Sequence, residues 1–464
     1  MITRIEIDGF KTFSNFALDL APFVVVLGPN ASGKSNLFDA IHLLSNLASM
    51  DLRSAIGDLR GELHELFRHF GDGTRIAKIR LAVEVLVEPR VQDHWGVEVE
   101  LKHTRIRYEV VIARRREDRG IERLVVEEEW AKPIAAKQDP WAPYGKKPSR
   151  EFRARHLHYR GRQNDWLSTT NETTGATFDV HQDGNSGRKR KFPAQWAEAT
   201  VLSSITTTEF PHLFALKQEL QSWRLLQLDP GALRRTSPLG EDDSLKPDGS
   251  NLTAVLARIR ADTATESRPQ GDLATITAQL GSIIPGVTRI EVEEDSHTRE
   301  YRAYLTMKDG QRFPTRVASD GTLRVLALLT LLSDPRRRGA VCFEEPENGI
   351  HPARLRRLVQ DLGNLTTDPT INDEFAGEPL TQLLMNSHSP VVLSGLYQNK
   401  ANAQILFADV IAVANPASPQ LVDRHTRVRP ILEREQGNLY RVPDIGTVSS
   451  FEVEQYLGTV EGGV

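Results

Sequence analysis

The spacing of apolar and polar residues changes twice along the chain. Residues 2–8 alternate as a strand does, and the run Phe23-Val24-Val25-Val26-Leu27 follows without a polar position. β-Branched side chains favour the pleat, so this run predicts a strand buried on both faces. It leads straight into Gly28, and beyond Ser35 the residues Leu37, Ile41, Leu43 and Leu44 fall at helical spacing. Strand, glycine-rich loop and helix are expected without a break.

From about residue 60 to 310 the pattern differs. Segments 79–87, 95–112 and 121–130 alternate and predict antiparallel strands, while 132–187 is rich in Pro, Gly, Asn and Thr and predicts long loops. Residues 210–228 read as helical. Asp248-Gly249-Ser250-Asn251 offers N-caps for a helix over 252–260, and 288–307 reads as a hairpin with Asp309-Gly310 at a turn. After 313 the α/β character returns. A helix is expected beyond 319–321, a strand over 340–343 and a helix over 352–365. A strand over 381–386 leads to Ser387-His388-Ser389, with closing strands and a short helix after it. The organisation predicted is one α/β unit in two pieces, 1–60 and 313–464, split by a β-rich then helical insertion, 61–312.

Composition narrows the class. The chain has 464 residues, 39% hydrophobic and 26% charged, with one cysteine and a formal net charge of −4. Cys342 alone cannot form an intramolecular disulfide, which fits a reducing cytoplasm, and it reads as a small buried apolar residue. The opening Met1-Ile2-Thr3-Arg4-Ile5-Glu6 lacks the basic-then-apolar pattern of a signal peptide. No apolar stretch approaches the roughly 20 residues that span a bilayer. Export, membrane anchoring and a built-in channel are therefore not expected.

The chemistry begins at Gly28-Pro29-Asn30-Ala31-Ser32-Gly33-Lys34-Ser35, which matches the phosphate-loop pattern G-x-x-x-x-G-K-[ST]. Glycines let backbone N–H groups turn toward phosphate oxygens, and the following helix adds its dipole. Lys34 would hold the β- and γ-phosphates of ATP, and the Ser35 hydroxyl would ligate Mg2+. Ala340-Val341-Cys342-Phe343-Glu344-Glu345 is an apolar strand delivering two adjacent carboxylates at its carboxyl end, where open α/β sheets bind ligands. Glu344 would act on Mg2+ from outside its direct ligands, through a coordinated water, and Glu345 would orient and deprotonate the attacking water. His388, after an apolar strand, could donate a hydrogen bond to the γ-phosphate. Ser319-Asp320-Gly321-Thr322 opens a helix, a second anion-binding end.

Taken together, these segments resemble the ATP-binding-cassette ATPases of the SMC/RecF/OLD-like group, and most of all its compact standalone bacterial members. The likeness is carried by residues 28–36, ending in Asn36, by 318–324, 344–352 and 386–390, and by a DGSNL segment at 248–252. It implies an α/β P-loop cassette, an SMC/RecF-like head, with a β-rich and helical insertion. It also implies that ATP is sandwiched between two copies. Ser319 and Gly321 would then act on the partner's γ-phosphate, with Asp320 between them in the nucleotide-binding set, and Asn348-Gly349 would lie in the interface loop. Glu344 stands where classical cassettes have aspartate, and Ala318 where leucine is common. A magnesium-sensing glutamine is expected in the insertion, with Gln218, Gln221 and Gln227 as candidates.

Lys146, Lys147, Arg150, Arg153, Arg155, Arg160 and Arg162 alternate with Phe152, Tyr159 and Trp166, and Arg188-Lys189-Arg190-Lys191 follows. Cations beside aromatics suit a nucleic-acid backbone and base stacking. Three functions fit. In the first, an ATP hydrolase dimerises on ATP to switch a nucleic-acid-linked or antiviral defence complex that has a separate effector, such as a nuclease or toxin. In the second, a RecF-like repair ATPase binds DNA directly. In the third, ATP locks a scaffold and turnover is incidental. A nuclease within the chain is not expected, because the acidic residues after 393 include no D-x-D arrangement.

Overall fold

The computed structural model describes residues 1–116, 122–161, 164–172, 175–182, 190–241, 244–371, 379–398, 402–415, 418–432, 448–449, 453 and 455. Two large sheets organise it. The first runs Arg224–Leu226, Gly339–Glu344, Thr381–Ser387, Phe23–Leu27, Gln404–Asn415, Ser418–Leu432 and Val448–Ser449. Its first five strands are mutually parallel. The second is antiparallel, in the order Arg190–Pro193, Gly175–Val180, Leu167–Glu172, Glu122–Pro133, Arg105–Arg116, Lys78–Leu86, Ile2–Asp8 and Phe16–Asp19. This second sheet draws strands from both sides of residue 60, and the edge strand Arg224–Leu226 of the first comes from between 61 and 312.

The unbroken apolar run Phe23–Leu27 has its cause in this arrangement. Val24 and Val26 point into one core with the helix Lys34–Leu47 and the antiparallel sheet. Phe23, Val25 and Leu27 point into a second core with the helices Leu252–Thr263, Leu273–Ile283, Asp320–Leu332 and Pro352–Gly363. With both faces covered, an alternating strand would bury polar groups. The neighbours repeat the division: Ala340, Cys342 and Leu384 face the first core, Val341, Phe343, Leu383 and Met385 the second.

Several local expectations need correction. The long loops expected over 132–187 are present, but the helix Arg150–His156 and the hairpin Leu167–Glu172 with Gly175–Val180 interrupt them. The hairpin's half-buried faces are built from Thr, which suits a pleat but gives no strong apolar alternation. The helical reading of 210–228 holds only for Pro211–Gln221; Arg224–Leu226 instead pairs parallel with Val341, Cys342 and Phe343. Tertiary pairing overrides local pattern there. Segment 95–112 is divided between Glu98–Glu100 and Arg105–Arg116, with Trp95 81% exposed at a hairpin tip. Asn251 does stand at the start of the helix Leu252–Thr263, yet it makes no capping bond. Its amide instead accepts from Lys246 N and donates to the Ser244 carbonyl. Much of the expected closing segment lies outside the described residues.

Candidate nucleotide site

Three adjacent parallel strands end together, and each delivers part of the site. Phe23–Leu27 ends in the phosphate loop, Gly339–Glu344 in the carboxylates, and Thr381–Ser387 in His388. Leu27 is paired with Ser387 and Glu344 with Asn386, so the three ends are in register.

The loop is braced from distant parts of the chain. A side chain at Gly28 would meet the Ala408 carbonyl oxygen at 2.2 Å. One at Gly33, where φ is 91°, would meet Thr426 Oγ1 at 2.0 Å. Thr426 Oγ1 lies 2.6 Å from Thr12 Oγ1 and donates to the Ser32 carbonyl at 3.2 Å. Asn36 Nδ2 in turn donates to Thr12 Oγ1 at 2.9 Å. Lys34 Nζ donates to the carbonyls of Gly28 and Pro29, both at 2.7 Å. Burial holds the Lys34 ammonium down at about 8, against the upward pull of Glu345, Glu347 and Glu344.

The carboxylate end is a hydrogen-bonded cluster. Glu345 has φ of 49°, a left-handed conformation, and its N–H donates to the carbonyl (3.1 Å) and Oδ1 (3.0 Å) of Asn386. Asn386 Nδ2 donates to Glu344 Oε1 at 3.2 Å, and Asn348 Nδ2 to Glu345 Oε2 at 2.7 Å. Glu347 Oε1 accepts from Ser387 Oγ (2.7 Å) and from the His388 N–H (2.9 Å). His388 Nδ1 lies 3.2 Å from Glu347 Oε1 and 3.8 Å from Glu345 Oε1. Glu347, Asn386, Thr12 and Thr426 were given no role from sequence, nor was Arg60, which forks onto Glu344. Glu347 and Asn386 sit inside the motif segments and could have been found there.

Ser319, Asp320 and Gly321 form a separate unit. Ser319 caps the helix Asp320–Leu332, its Oγ accepting from Thr322 N at 3.3 Å. Asp320 is ion-paired with Arg234, which also donates to the Ala318 carbonyl at 3.0 Å. A side chain on Gly321 would meet the Gly349 carbonyl oxygen at 1.9 Å, so the two loops touch through glycines. Of the three glutamines, Gln227 directly follows the edge strand, at the same sheet end as Glu344. Gln218 is on a helix and donates to the Gln92 carbonyl at 3.2 Å, and Gln221 ends that helix.

The residues suit an anion and a hard cation. Ser32 Oγ is buried with no hydrogen-bond partner among the described residues, a donor aimed within the loop. Ser35 and Glu344 offer oxygen ligands, the type Mg2+ takes. Among the described residues no three His, Cys, Asp or Glu side chains form a ready metal cage, so phosphate oxygens would complete the coordination.

The cationic segment differs from the expectation. Lys146, Lys147, Arg150, Arg153 and Arg155 are exposed. However, Phe152 and Trp166 are buried and Tyr159 donates to Asp139 at 2.6 Å, so these aromatics are not displayed for base stacking. Arg190 is ion-paired with Glu209, Lys191 is described, and Arg162, Arg188 and Lys189 lie outside the described residues. Among the described residues no helix is long and apolar enough to cross a membrane.

A phosphate loop, a carboxylate strand and a histidine at three neighbouring parallel strand ends are the arrangement of an α/β P-loop nucleotide-binding fold. The chain belongs to the family described as "AAA domain, putative AbiEii toxin, Type IV TA system", which matches residues 23–394. No curated protein matches it. Among solved structures it is similar to an SMC head bound to the C-terminal winged-helix domain of ScpA, at 12% identity and a TM-score of 0.47, covering 94% of this chain and 98% of that one. It is also similar to the SMC head domain from Thermotoga maritima, at 10% identity and a TM-score of 0.38, covering 93% and 99%.

Proposed function

We propose that the protein hydrolyses ATP in a site shared between two copies, and that the cycle of association switches a separate effector. The observation that supports the reading is the common end of the three strands, which carry Lys34, Glu344, Glu345 and His388 at one edge of the sheet, with His388 Nδ1 3.8 Å from Glu345 Oε1. Residues 28–36 cradle the phosphates through backbone N–H groups, with Lys34 on the β- and γ-phosphates. Ser35 and Glu344 would hold Mg2+, which would supply positive charge to neutralise the phosphates. Glu345 accepts a proton from water as the water oxygen attacks the γ-phosphorus. The bond from that phosphorus to the β–γ bridging oxygen breaks, releasing ADP and phosphate. His388 donates to the γ-phosphate, held in place by Glu347. Ser319, Asp320 and Gly321 face the nucleotide of a second copy.

The family description, a toxin of a type IV toxin–antitoxin system, supports an antiviral or toxin-linked setting. The exposed cations of residues 146–155 would contact nucleic acid mainly through phosphates, since Phe152 and Trp166 are buried and Tyr159 is half-buried with its hydroxyl bonded to Asp139. Phosphate release by the purified protein tests the reaction. Lys34→Ala should abolish nucleotide binding, and Glu345→Gln should retain binding while turnover falls by about a hundredfold or more. Unchanged turnover in both variants would refute the assignment.

A further inference from the structure

The carboxylate that faces the expected metal is already held by a cation of the same chain. Arg60 Nη1 lies 3.0 Å from Glu344 Oε2 and Nη2 lies 3.0 Å from Oε1, a two-pronged pairing that engages both oxygens. The same guanidinium donates to Asp39 Oδ1 from Nε (3.2 Å) and Nη2 (3.0 Å). Lys11 Nζ takes the other Asp39 oxygen at 2.6 Å and also donates to the Arg60 carbonyl at 3.0 Å. Lys11, Asp39, Arg60, Glu344 and Asn386 thus form one continuous chain of charge and hydrogen bonds.

The two ends of the Arg60–Glu344 pair differ in rigidity. Glu344 closes a strand hydrogen-bonded on both sides, with its side chain 15% exposed. Arg60 is on the short connection between the helices Leu52–Gly57 and Leu63–Leu66, with exposed neighbours Gly61 and Glu62. Arg60 can leave without stranding a buried charge, because Asp39 keeps Lys11. A divalent cation brought to the Glu344 oxygens meets the guanidinium already seated on them, and like charges at that separation repel.

We propose that Arg60 is a positioning residue that latches Glu344 in the nucleotide-free protein, so that loading of the metal with its nucleotide must break the Arg60–Glu344 pair. The inference rests on the reading of this site as one for Mg-ATP. It makes the metal requirement of nucleotide binding steeper than the phosphate loop alone would set, and it makes the connection bearing Arg60 the part of the site that moves on loading.

The test is a magnesium titration of a fluorescent, non-hydrolysable ATP analogue bound to the full chain, followed by fluorescence anisotropy. In Arg60→Ala the magnesium concentration at half-saturation should fall about threefold to tenfold, the range for one partly exposed two-pronged ion pair. Arg60→Lys, which keeps the charge and loses the fork, should fall between. In a Glu344→Gln background, removing Arg60 should leave the midpoint unchanged, because its partner charge is gone. A midpoint that is unchanged or raised in Arg60→Ala overturns the latch. So does weaker analogue binding in excess chelator, which would make Arg60 a nucleotide contact. If the unaltered protein binds no analogue, the ATP reading fails and the latch with it; binding by the unaltered protein with no shift in the variant sinks the latch alone.

Discussion

Replacing Gly321 with alanine adds one methyl group, and the structure makes that methyl expensive. It would sit 1.9 Å from the carbonyl oxygen of Gly349, whereas ordinary contact begins near 3.4 Å. The helix start and the 349 loop would have to part by about 1.5 Å, and the obstacle is backbone, which no rotamer change can relieve. In a helix interior alanine is otherwise favoured over glycine by about 1 kcal/mol, so propensity predicts a gain. The clash predicts the opposite: overpacking of this kind costs about 1–3 kcal/mol. The clash should win. Thermal unfolding of the variant should begin a few degrees below the unaltered protein. A displacement near 1 Å at a reacting site can lower turnover by about a hundredfold. ATPase turnover should therefore fall by that order while nucleotide affinity, set at the phosphate loop, is retained. Unaltered melting together with unaltered turnover would refute the claim that the two glycine loops are locked together. Lost stability with full turnover would refute the link from this seam to catalysis.

Further outcomes follow from charge and burial. Lys34 sits near 8 without nucleotide, because burial disfavours its charged form. A phosphate partner favours that form and raises the value, so the bound state holds more protons and affinity falls as pH rises through 8. Calorimetry in buffers of different ionisation enthalpy should show an uptake of about half a proton at pH 8 and about a tenth at pH 7; no uptake at pH 8 would contradict the placement of Lys34 against phosphate. The Cys342 thiol is pushed up by burial, then by Glu344, and the side chain is 1% exposed. A thiol reagent should label it only on unfolding, and rapid labelling of the native protein would place that strand differently. Reversing the charge of Lys146, Lys147 and Arg150 should weaken any DNA binding about equally across sequences and flatten its salt dependence by about three units of slope; an unchanged slope would remove this segment from the interface.

The parts legible in the sequence are those whose cause is local. The phosphate loop is one contiguous segment, and Phe23–Leu27 announces its double burial by having no polar position. The strand Gly339–Glu344 and the helix starting at Asp320 were readable for the same reason. What escaped depends on distance along the chain. Thr12 and Thr426, which brace the loop, are 414 residues apart, and Arg60 reaches Glu344 across 284. Neither pair leaves a periodic signal. The edge strand Arg224–Leu226 was hidden because Leu225 and Leu226 satisfy helical and strand spacing alike, and only the neighbour Gly339–Glu344 decides between them. The cationic segment was misread in the other direction: Phe152 and Trp166 look like a stacking surface by sequence proximity, but they are packed inside.

The central claim is that ATP is held between two copies of this chain, and light scattering on Glu345→Gln tests it directly. With the carboxylate proposed to activate water removed, bound ATP should persist, and the mass should double or rise further with Mg-ATP and stay at the lower value with Mg-ADP or with no nucleotide. A mass unchanged by Mg-ATP, in a variant shown to bind it, would contradict the shared site and remove Ser319 and Gly321 from the reaction.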